Sequence, residues 1–229
     1  MSSHRQSKKR RYLTWAVAGA AVVAGAGIAA QTSMAATTTW PAQRTYTGRA
    51  FDTCAAPSLS AMKAWRTNGF YGAAAVYVGG KNRGCSQPNL TASWVKSVSS
   101  VGWKLIPIYL DMEPYDITNK ACNDAVLTYV RAFDKGLRAK IYRAGYYGVT
   151  SSSAKAVATA TDKTDLPGKL WYALWDKQNT TTADWPWGAT QYTGHSRGYQ
   201  YMVNSKETRN GYTITVDRDA WDAPVAITG

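Results

Sequence analysis

The chain has 229 residues, 45% of them hydrophobic, and carries a net charge of +13. This length allows one domain with a substantial core, and the charge suits an anionic partner, although no run of five Lys or Arg after residue 35 supports nucleic acid. His195 is the only histidine after residue 35, which excludes histidine-based zinc sites and disfavours a Ser-His-Asp triad, and no glycine-rich phosphate loop is present.

Residues 1–35 are typical of a secretory signal peptide. A basic run that includes Arg10-Arg11 precedes an apolar stretch at 16–30, and residues 33–35 fit a cleavage site. The apolar stretch is shorter than the roughly 20 residues that span a bilayer, so we expect cleavage, export and no stable membrane span. Arg10-Arg11 also partly resembles a twin-arginine signal. Cleavage would leave 22 basic and 14 acidic residues, a net charge of +8.

The first half of the mature chain alternates between strands and helices. Residues 36–46 are predicted to be a Thr-rich linker, and residues 47–223 the folded domain. A strand ends near Asp52, and a helix follows from the N-cap Ser58 to Gly69. A glycine-flanked strand, a helix from about Thr91 and a strand come next, the two strands being predicted at 72–80 and 103–113.

The second half begins in the same way and then changes. Residues 119–140 have the strongest helical periodicity, followed by a strand at 141–149 and a weak helix at 151–162. No convincing helix separates the last three predicted strands, which are 169–176, 188–193 and 212–219.

This order of elements predicts an α/β fold. Continuous apolar strands that alternate with helices indicate a parallel sheet covered on both faces. We therefore predict a TIM-like β/α barrel truncated to seven strands. In such a barrel the C-terminal ends of the strands form one rim that carries the active site. Acidic residues follow apolar runs at Asp52, Asp111, Glu113, Asp176 and Asp217, although polar loops alone also place acids at strand ends.

Six motifs carry a resemblance to a known family. They are "FDTCAAPS", "YVGGKNRGCSQPNLT", "DMEPY", "LWYALWD", "TQYTG" and "ITVDRDAW". With them the chain, from about Gly48 to Asp222, resembles the glycoside hydrolase-like domain of unknown function 1906, a secreted bacterial group related to the lysozymes of glycoside hydrolase family 25. The resemblance implies a cell-wall polysaccharide or other envelope glycan as partner, and no metal or organic cofactor.

The resemblance also implies roles for four acids. In family 25 enzymes the matching acids line the sugar cleft, which makes Glu113 the general acid and Asp111 the stabilising carboxylate. Asp52 and Asp217 would bind and orient the sugar or the attacking water. Independently of the family, Asp111 and Glu113 at i and i+2 on a strand point the same way, so repulsion raises the pKa of one. The better-desolvated carboxyl of such a pair becomes the acid.

Further substrate-binding candidates come from the motifs "LWYALWD" and "TQYTG". They are Trp175, Asp176, Gln191 and Tyr192. Aromatic rings stack on the apolar faces of sugars, but large aromatics also fill cores, so both interpretations stay open for these rings.

The chain departs from the family pattern at residues 104–113. In the family a loop, a helix and a further strand separate the strand like "KLIPIY" from the Asp-x-Glu pair, whereas here "IPIY" runs directly into "LDMEPY". One strand-helix unit is therefore predicted to be missing. Unpaired backbone groups would follow, and we expect a gap or flexible seam between the strand that ends at Glu113 and the strand 141–149. The alternative is that these two strands pair directly and the barrel closes with seven strands.

The same loss accounts for an odd number of cysteines. The family segment that is absent usually carries a cysteine, the natural partner of Cys122. Cys54 and Cys85, after the first and second strands, are expected to form a disulfide, which export permits, and Cys122 is expected to be free.

Two functions of different classes remain open. The first is a secreted hydrolase of cell-wall polysaccharide, lysozyme-like, that uses Glu113 with Asp111. The second is a catalytically inactive module that binds a carbohydrate or the cell envelope on the same scaffold. A third interpretation is a structural surface protein that uses only its basic face.

Overall fold

The computed structural model describes residues 42–80, 84–106, 108–182 and 185–226. The predicted signal peptide and residues 36–41 of the predicted linker lie outside these ranges. No helix in the described part of the chain is long and apolar enough to cross a membrane.

Eight strands and four helices make up the described elements. The strands are β1 Arg44–Thr53, β2 Ala73–Val76, β3 Lys104–Leu105, β4 Tyr109–Met112, β5 Gly145–Val149, β6 Leu170–Ala173, β7 Arg197–Arg209 and β8 Tyr212–Val225. The helices are α1 Leu59–Asn68, α2 Ala92–Ser100, α3 Lys120–Arg138 and α4 Ser153–Thr159. Because Arg44 pairs with Val225, the folded elements extend beyond both ends of the predicted domain at 47–223.

The eight strands form one strongly curled sheet. Their order is β3-β2-β1-β8-β7-β6-β5-β4, and β8 alone is antiparallel to its neighbours. Ile106 donates to Ala74 beside one edge, whereas Ile108 accepts from Gly145 beside the other. Two residue steps span at most about 7 Å, but the edges of a flat eight-stranded sheet would lie about 34 Å apart. The sheet must therefore curl until its two edges meet at this connection.

The predicted fold class is confirmed only in its coarse form. The domain is α/β and barrel-like, but a helix follows only β1, β2, β4 and β5 in the described chain, and a TIM barrel is not confirmed. The predicted strand 103–113 is two strands, β3 and β4, which form opposite edges of the sheet and pair with β2 and β5 respectively. The predicted strand 188–193 is wrong: these residues form turns, and Tyr192 has a φ of 52°, which an extended strand excludes.

The expected gap between β4 and β5 is also wrong. These strands pair continuously from Tyr109 opposite Gly145 to Met112 opposite Gly148. Gly145 permits this approach, because a Cβ atom there would lie 2.3 Å from Cε1 of Tyr109. The interruption in the sheet lies instead between β3 and β4, inside the stretch that the sequence presents as one strand.

Side chains alternate between the inside of the curl and an outer face covered by helices. An apolar layer fills the inside and consists of Ala50, Ala73, Ala75, Trp171, Trp221, Ala223 and Val225, with Tyr109 packed against it. On the outer face α1 and α2 cover the region around Phe51, whereas α3 and α4 cover the region around Tyr172. The inside of the curl is therefore a separate compartment, closed at one end by tryptophan rings.

Packing in this compartment yields the first prediction. Trp221 is 1% exposed, and a Cβ atom on Gly198 would lie 2.3 Å from its Cζ3 atom. Gly198→Ala should therefore lower the free energy of unfolding by about 1–3 kcal/mol, measured by urea denaturation, since the buried indole has to move. Gly168→Ala is the matched control, because a Cβ there meets no atom within 4 Å. Equal effects of both substitutions would contradict this packing.

Candidate functional site

Acidic side chains meet inside the curl because of how β8 pairs with its neighbours. Asp217 lies directly opposite Asp52 of β1, and Asp219 lies opposite both Ala50 of β1 and Gln200 of β7. Residues at i and i+2 of a strand share a face, so Asp217 and Asp219 both point inside. We call Asp52, Asp217 and Asp219 the carboxyl cluster. Asp217 joins it from the sixth position of an antiparallel strand and not, as predicted, from the C-terminal end of a parallel one.

The amide of Gln200 connects the carboxyl cluster to its surroundings. Its Nε2 donates to Oδ2 of Asp52 at 2.9 Å and to Oδ2 of Asp217 at 3.3 Å. Its Oε1 accepts from the Tyr147 hydroxyl at 2.8 Å and from the Trp175 indole N–H at 3.1 Å. These four contacts fix the orientation of the amide and hold two carboxyl groups on one donor.

The remaining contacts of the carboxyl cluster are also short. Oδ1 of Asp219 accepts from the indole N–H of Trp171 at 2.8 Å, and Oδ1 of Asp217 accepts from the backbone N–H of Asn204 at 2.6 Å. Oδ2 of Asp219 is buried, and no donor among the described residues reaches it. The carboxyl group of Asp219 instead adjoins that of Asp52.

Burial controls the charge of the carboxyl cluster. Desolvation raises the pKa of Asp52 well above its usual range, and repulsion from Asp217 and Asp111 raises it further. Desolvation likewise raises the pKa of Asp219, with added repulsion from Asp52 and Asp217, and it raises the pKa of Asp217. The cluster therefore carries less negative charge at neutral pH than three free aspartates would.

Asp111 and Glu113 lie at the edge of this site in unlike environments. Asp111 is partly buried on β4, and burial and then repulsion from Glu113 raise its pKa, while a hydrogen bond from the Tyr77 hydroxyl opposes the rise. Glu113 is exposed and follows the end of β4 at Met112. Burial and the charges of Asp111, Asp52 and Glu113 raise the pKa of Tyr77, so this ring lies among all three acids.

The other predicted sugar-binding residues are divided between two places. Trp175 is 54% exposed, and its indole N–H is held by Gln200 of the site. Asp176 accepts a hydrogen bond from the backbone N–H of Gln178 in the loop after β6. Tyr192 packs on the outer face with the Tyr172 region, and burial raises its pKa to about 12. Gln191 precedes Tyr192 in the same loop, and the backbone carbonyl oxygen of Gln191 accepts a hydrogen bond from the Arg197 guanidinium at 2.7 Å.

A cleft of about 590 Å³ opens onto the carboxyl cluster. One wall is the end of β1 and the loop 54–58 after it, the other is the first part of β8, and Asp52 and Asp217 line the cleft. The predicted disulfide is confirmed: Cys54 in this loop is bonded to Cys85, whereas Cys122 forms no disulfide. The cleft wall is thus covalently tied to the segment before α2. No group of three or more His, Cys, Asp or Glu in the described ranges is arranged to hold a metal ion.

Several residues of the site were not predicted. They are Tyr77, Tyr147, Gln200 and Asp219. One signal was available for Asp219, because it stands two residues after Asp217 in a strand pattern and so shares its face. Gln200 is likewise a single amide between two tyrosines of β7, a polar residue in an otherwise apolar run.

Comparison with known proteins relates this site to a family. The family model of the Rv2525c-like, glycoside hydrolase-like domain matches residues 63–113 and 106–221. The chain belongs to this family. The predicted resemblance to the glycoside hydrolase-like domain is thereby confirmed, and it suggests a carbohydrate-related function. No curated protein and no solved structure matches the chain.

The two matched segments overlap at residues 106–113. This stretch contains the passage from β3 to β4 and Asp111. Its two ends pair with different neighbours, Ile106 with β2 and Ile108 with β5. The loss of an internal strand-helix unit stays a prediction.

The second prediction concerns Gln200. Gln200→Leu keeps the approximate volume but removes the donor shared by Asp52 and Asp217 and the acceptor of Tyr147. We expect the free energy of unfolding to fall by about 1–3 kcal/mol, because buried polar groups lose their partners. Urea denaturation measures the change, and Gln178→Leu in an exposed loop is the control. A loss no larger than that of the control would show that Gln200 does not hold the site together.

Proposed function

We propose that the protein is exported and hydrolyses glycosidic bonds of a cell-wall polysaccharide of peptidoglycan type in the cleft beside the carboxyl cluster. One observation carries the proposal: Asp52 and Asp217 line an open cleft, and Asp111 lies close enough to Asp52 for its charge to raise the pKa of Asp52. The N-terminal signal pattern supports export. The family supports a carbohydrate as ligand.

Glycoside hydrolysis requires a carboxyl that keeps its proton and a carboxylate that stays ionised. Asp111 and Glu113 are the proposed pair, since both lie at the accessible side of the site, near Tyr77. The family resemblance makes Glu113 the acid and Asp111 the stabilising carboxylate. Burial favours the reverse, because Asp111 is the desolvated member with the raised pKa and Glu113 is exposed. The two roles therefore need separate tests.

The cleft has features suited to a sugar. Its volume of about 590 Å³ falls within the range of about 300–1,000 Å³ typical of ligand pockets. Asp52 and Asp217 offer oxygen acceptors for sugar hydroxyl groups at its wall. Trp175 does not line this cleft, but its ring is exposed and its N–H is held by Gln200, so it is the proposed stacking surface for a sugar ring.

A non-catalytic carbohydrate- or envelope-binding module is the second candidate. The observation that favours it is the position of Asp111 on β4, a four-residue edge strand beside the interruption of the sheet. Catalytic groups must be held to within about 0.5 Å of the productive geometry. A binding surface built on Trp175, Asp52 and Asp217 tolerates a looser arrangement, so binding would survive where catalysis is lost.

The third prediction tests the acid pair with Glu113→Gln and Asp111→Asn. Purified protein without residues 1–35 is incubated with peptidoglycan or chitin oligosaccharides, and new reducing ends are measured alongside pull-down. Each substitution should lower turnover by at least ~100-fold, while binding to the polysaccharide persists. Asp124→Asn on the exposed side of α3 is the control and should leave turnover unchanged.

The pH dependence of turnover assigns the two roles. The acid must be protonated, so activity is lost as the pH rises through its pKa, and only replacement of that residue removes this alkaline limb. A flat alkaline side in Asp111→Asn would assign the acid to Asp111, and in Glu113→Gln to Glu113. Binding by the wild type without any cleavage would instead support the module, and the absence of both would contradict both candidates.

A further inference from the structure

Asp219 has no part in the proposed acid pair, yet it is the most buried acid of the site. Its exposed fraction is 0%, and its position opposite Ala50 and Gln200 directs the side chain inside the sheet. Trp171 satisfies Oδ1, whereas Oδ2 is buried and receives no N–H or O–H from the described residues. The carboxyl group of Asp219 adjoins that of Asp52, which already accepts from Gln200.

Two carboxylates in contact inside a protein cannot both be ionised at neutral pH, because each disfavours the charge of the other and burial disfavours both charges. A proton on Oδ2 removes the conflict. Oδ2 of Asp219, which receives no hydrogen bond, then donates one to the carboxylate of Asp52. Because this acceptor is charged, the hydrogen bond is stronger than one between neutral groups.

We propose that Asp219 is a positioning residue that takes up a proton from water on folding, holds it on Oδ2 at neutral pH and donates a hydrogen bond to the carboxylate of Asp52. The two side chains then share one negative charge. No covalent bond forms or breaks, and the proton returns to water when the chain unfolds.

In the described part of the chain, the groups that interact with this pair are acidic or neutral, and they include the phenols of Tyr77 and Tyr201. Asp217 approaches from β8 and Asp111 from β4, the phenol of Tyr147 from β5 and the amide of Gln200 from β7. The acids favour the protonated form of the pair. Each carboxyl group accepts one N–H, Asp52 from Gln200 and Asp219 from Trp171. Burial therefore decides between them: Asp52 is 8% exposed and lines the cleft, whereas Asp219 is 0% exposed, so Asp52 keeps the negative charge and Asp219 keeps the proton.

One consequence concerns the cleft and rests on the proposed function. Asp52 lines the cleft whereas Asp219 does not, so the ligand would meet a carboxylate whose orientation is fixed from behind by a buried donor. The inference about the proton itself does not depend on any ligand.

The experiment is the pH dependence of unfolding in Asp219→Asn. Asparagine keeps the acceptor for Trp171 and presents an N–H to Asp52 without binding a proton. Above about pH 5 a free aspartate, with a pKa near 3.9, is ionised, so Asp219 gives the wild-type native state one proton that the unfolded state and the native variant both lack at this position. Native stability then falls as the pH rises. Between pH 5 and 7 the unfolding constant of the wild type should rise relative to that of the variant by up to about tenfold per pH unit.

The control is Asp124→Asn, which should follow the wild type at every pH. The proposal would be overturned if the ratio of the wild-type unfolding constant to that of Asp219→Asn changed by less than about threefold from pH 5 to 7. If the variant fails to fold, infrared spectroscopy of the wild type at pH 7 replaces this measurement. The absence of the carbonyl band of a protonated carboxyl group would then overturn the proposal. Neither measurement uses a glycan, so failure to hydrolyse polysaccharide would affect only the proposed function.

Discussion

The antiparallel pairing of β8 between β1 and β7 is the constraint from which the site follows. This register places Asp217 opposite Asp52 and puts Asp219 beside Gln200, so three acids and one amide face the same interior. Burying carboxyl groups is costly unless they are paired or neutral. The donors Trp171, Gln200 and Asn204 offset part of this cost, and the raised pKa values of the acids reduce the rest.

Because the sheet is curled, the side chains that this register brings together lie in an enclosed interior. The edges β3 and β4 are joined through residues 106–108, so a sheet with open edges still wraps around a tryptophan layer. That layer shields one end of the carboxyl cluster from water, while the cleft opens the other. The curled sheet therefore removes Asp52 from bulk water and also leaves it accessible from the cleft.

Much of the fold was predictable because helix periodicity and N-caps are local signals. Ser58, Thr91 and Asn119 each cap a helix where the sequence indicates one. Strand β7 was missed, although Asn210-Gly211, with φ values of 46° and 82°, is a typical turn between hairpin strands. Asp52, Asp111 and Asp217 were identified from motifs. The register that adds Gln200 and Asp219, and the outward packing of Tyr192, depend on tertiary pairing that no local pattern encodes.

The passage from β3 to β4 determines which neighbours support Asp111. Ile106 still bonds to β2 and Ile108 already bonds to β5, so one short stretch fills positions that would otherwise belong to two neighbouring strands. A full strand between them would provide Asp111 with a second neighbour; here β4 is held from β5 alone. Tyr77, just after β2, reaches across the interruption and donates to Asp111. Asp111 is therefore positioned by β5 on one side and by this side-chain interaction with Tyr77 on the other. In the proposed function, a loss of the Tyr77 interaction would affect catalysis by Asp111 before it affected binding.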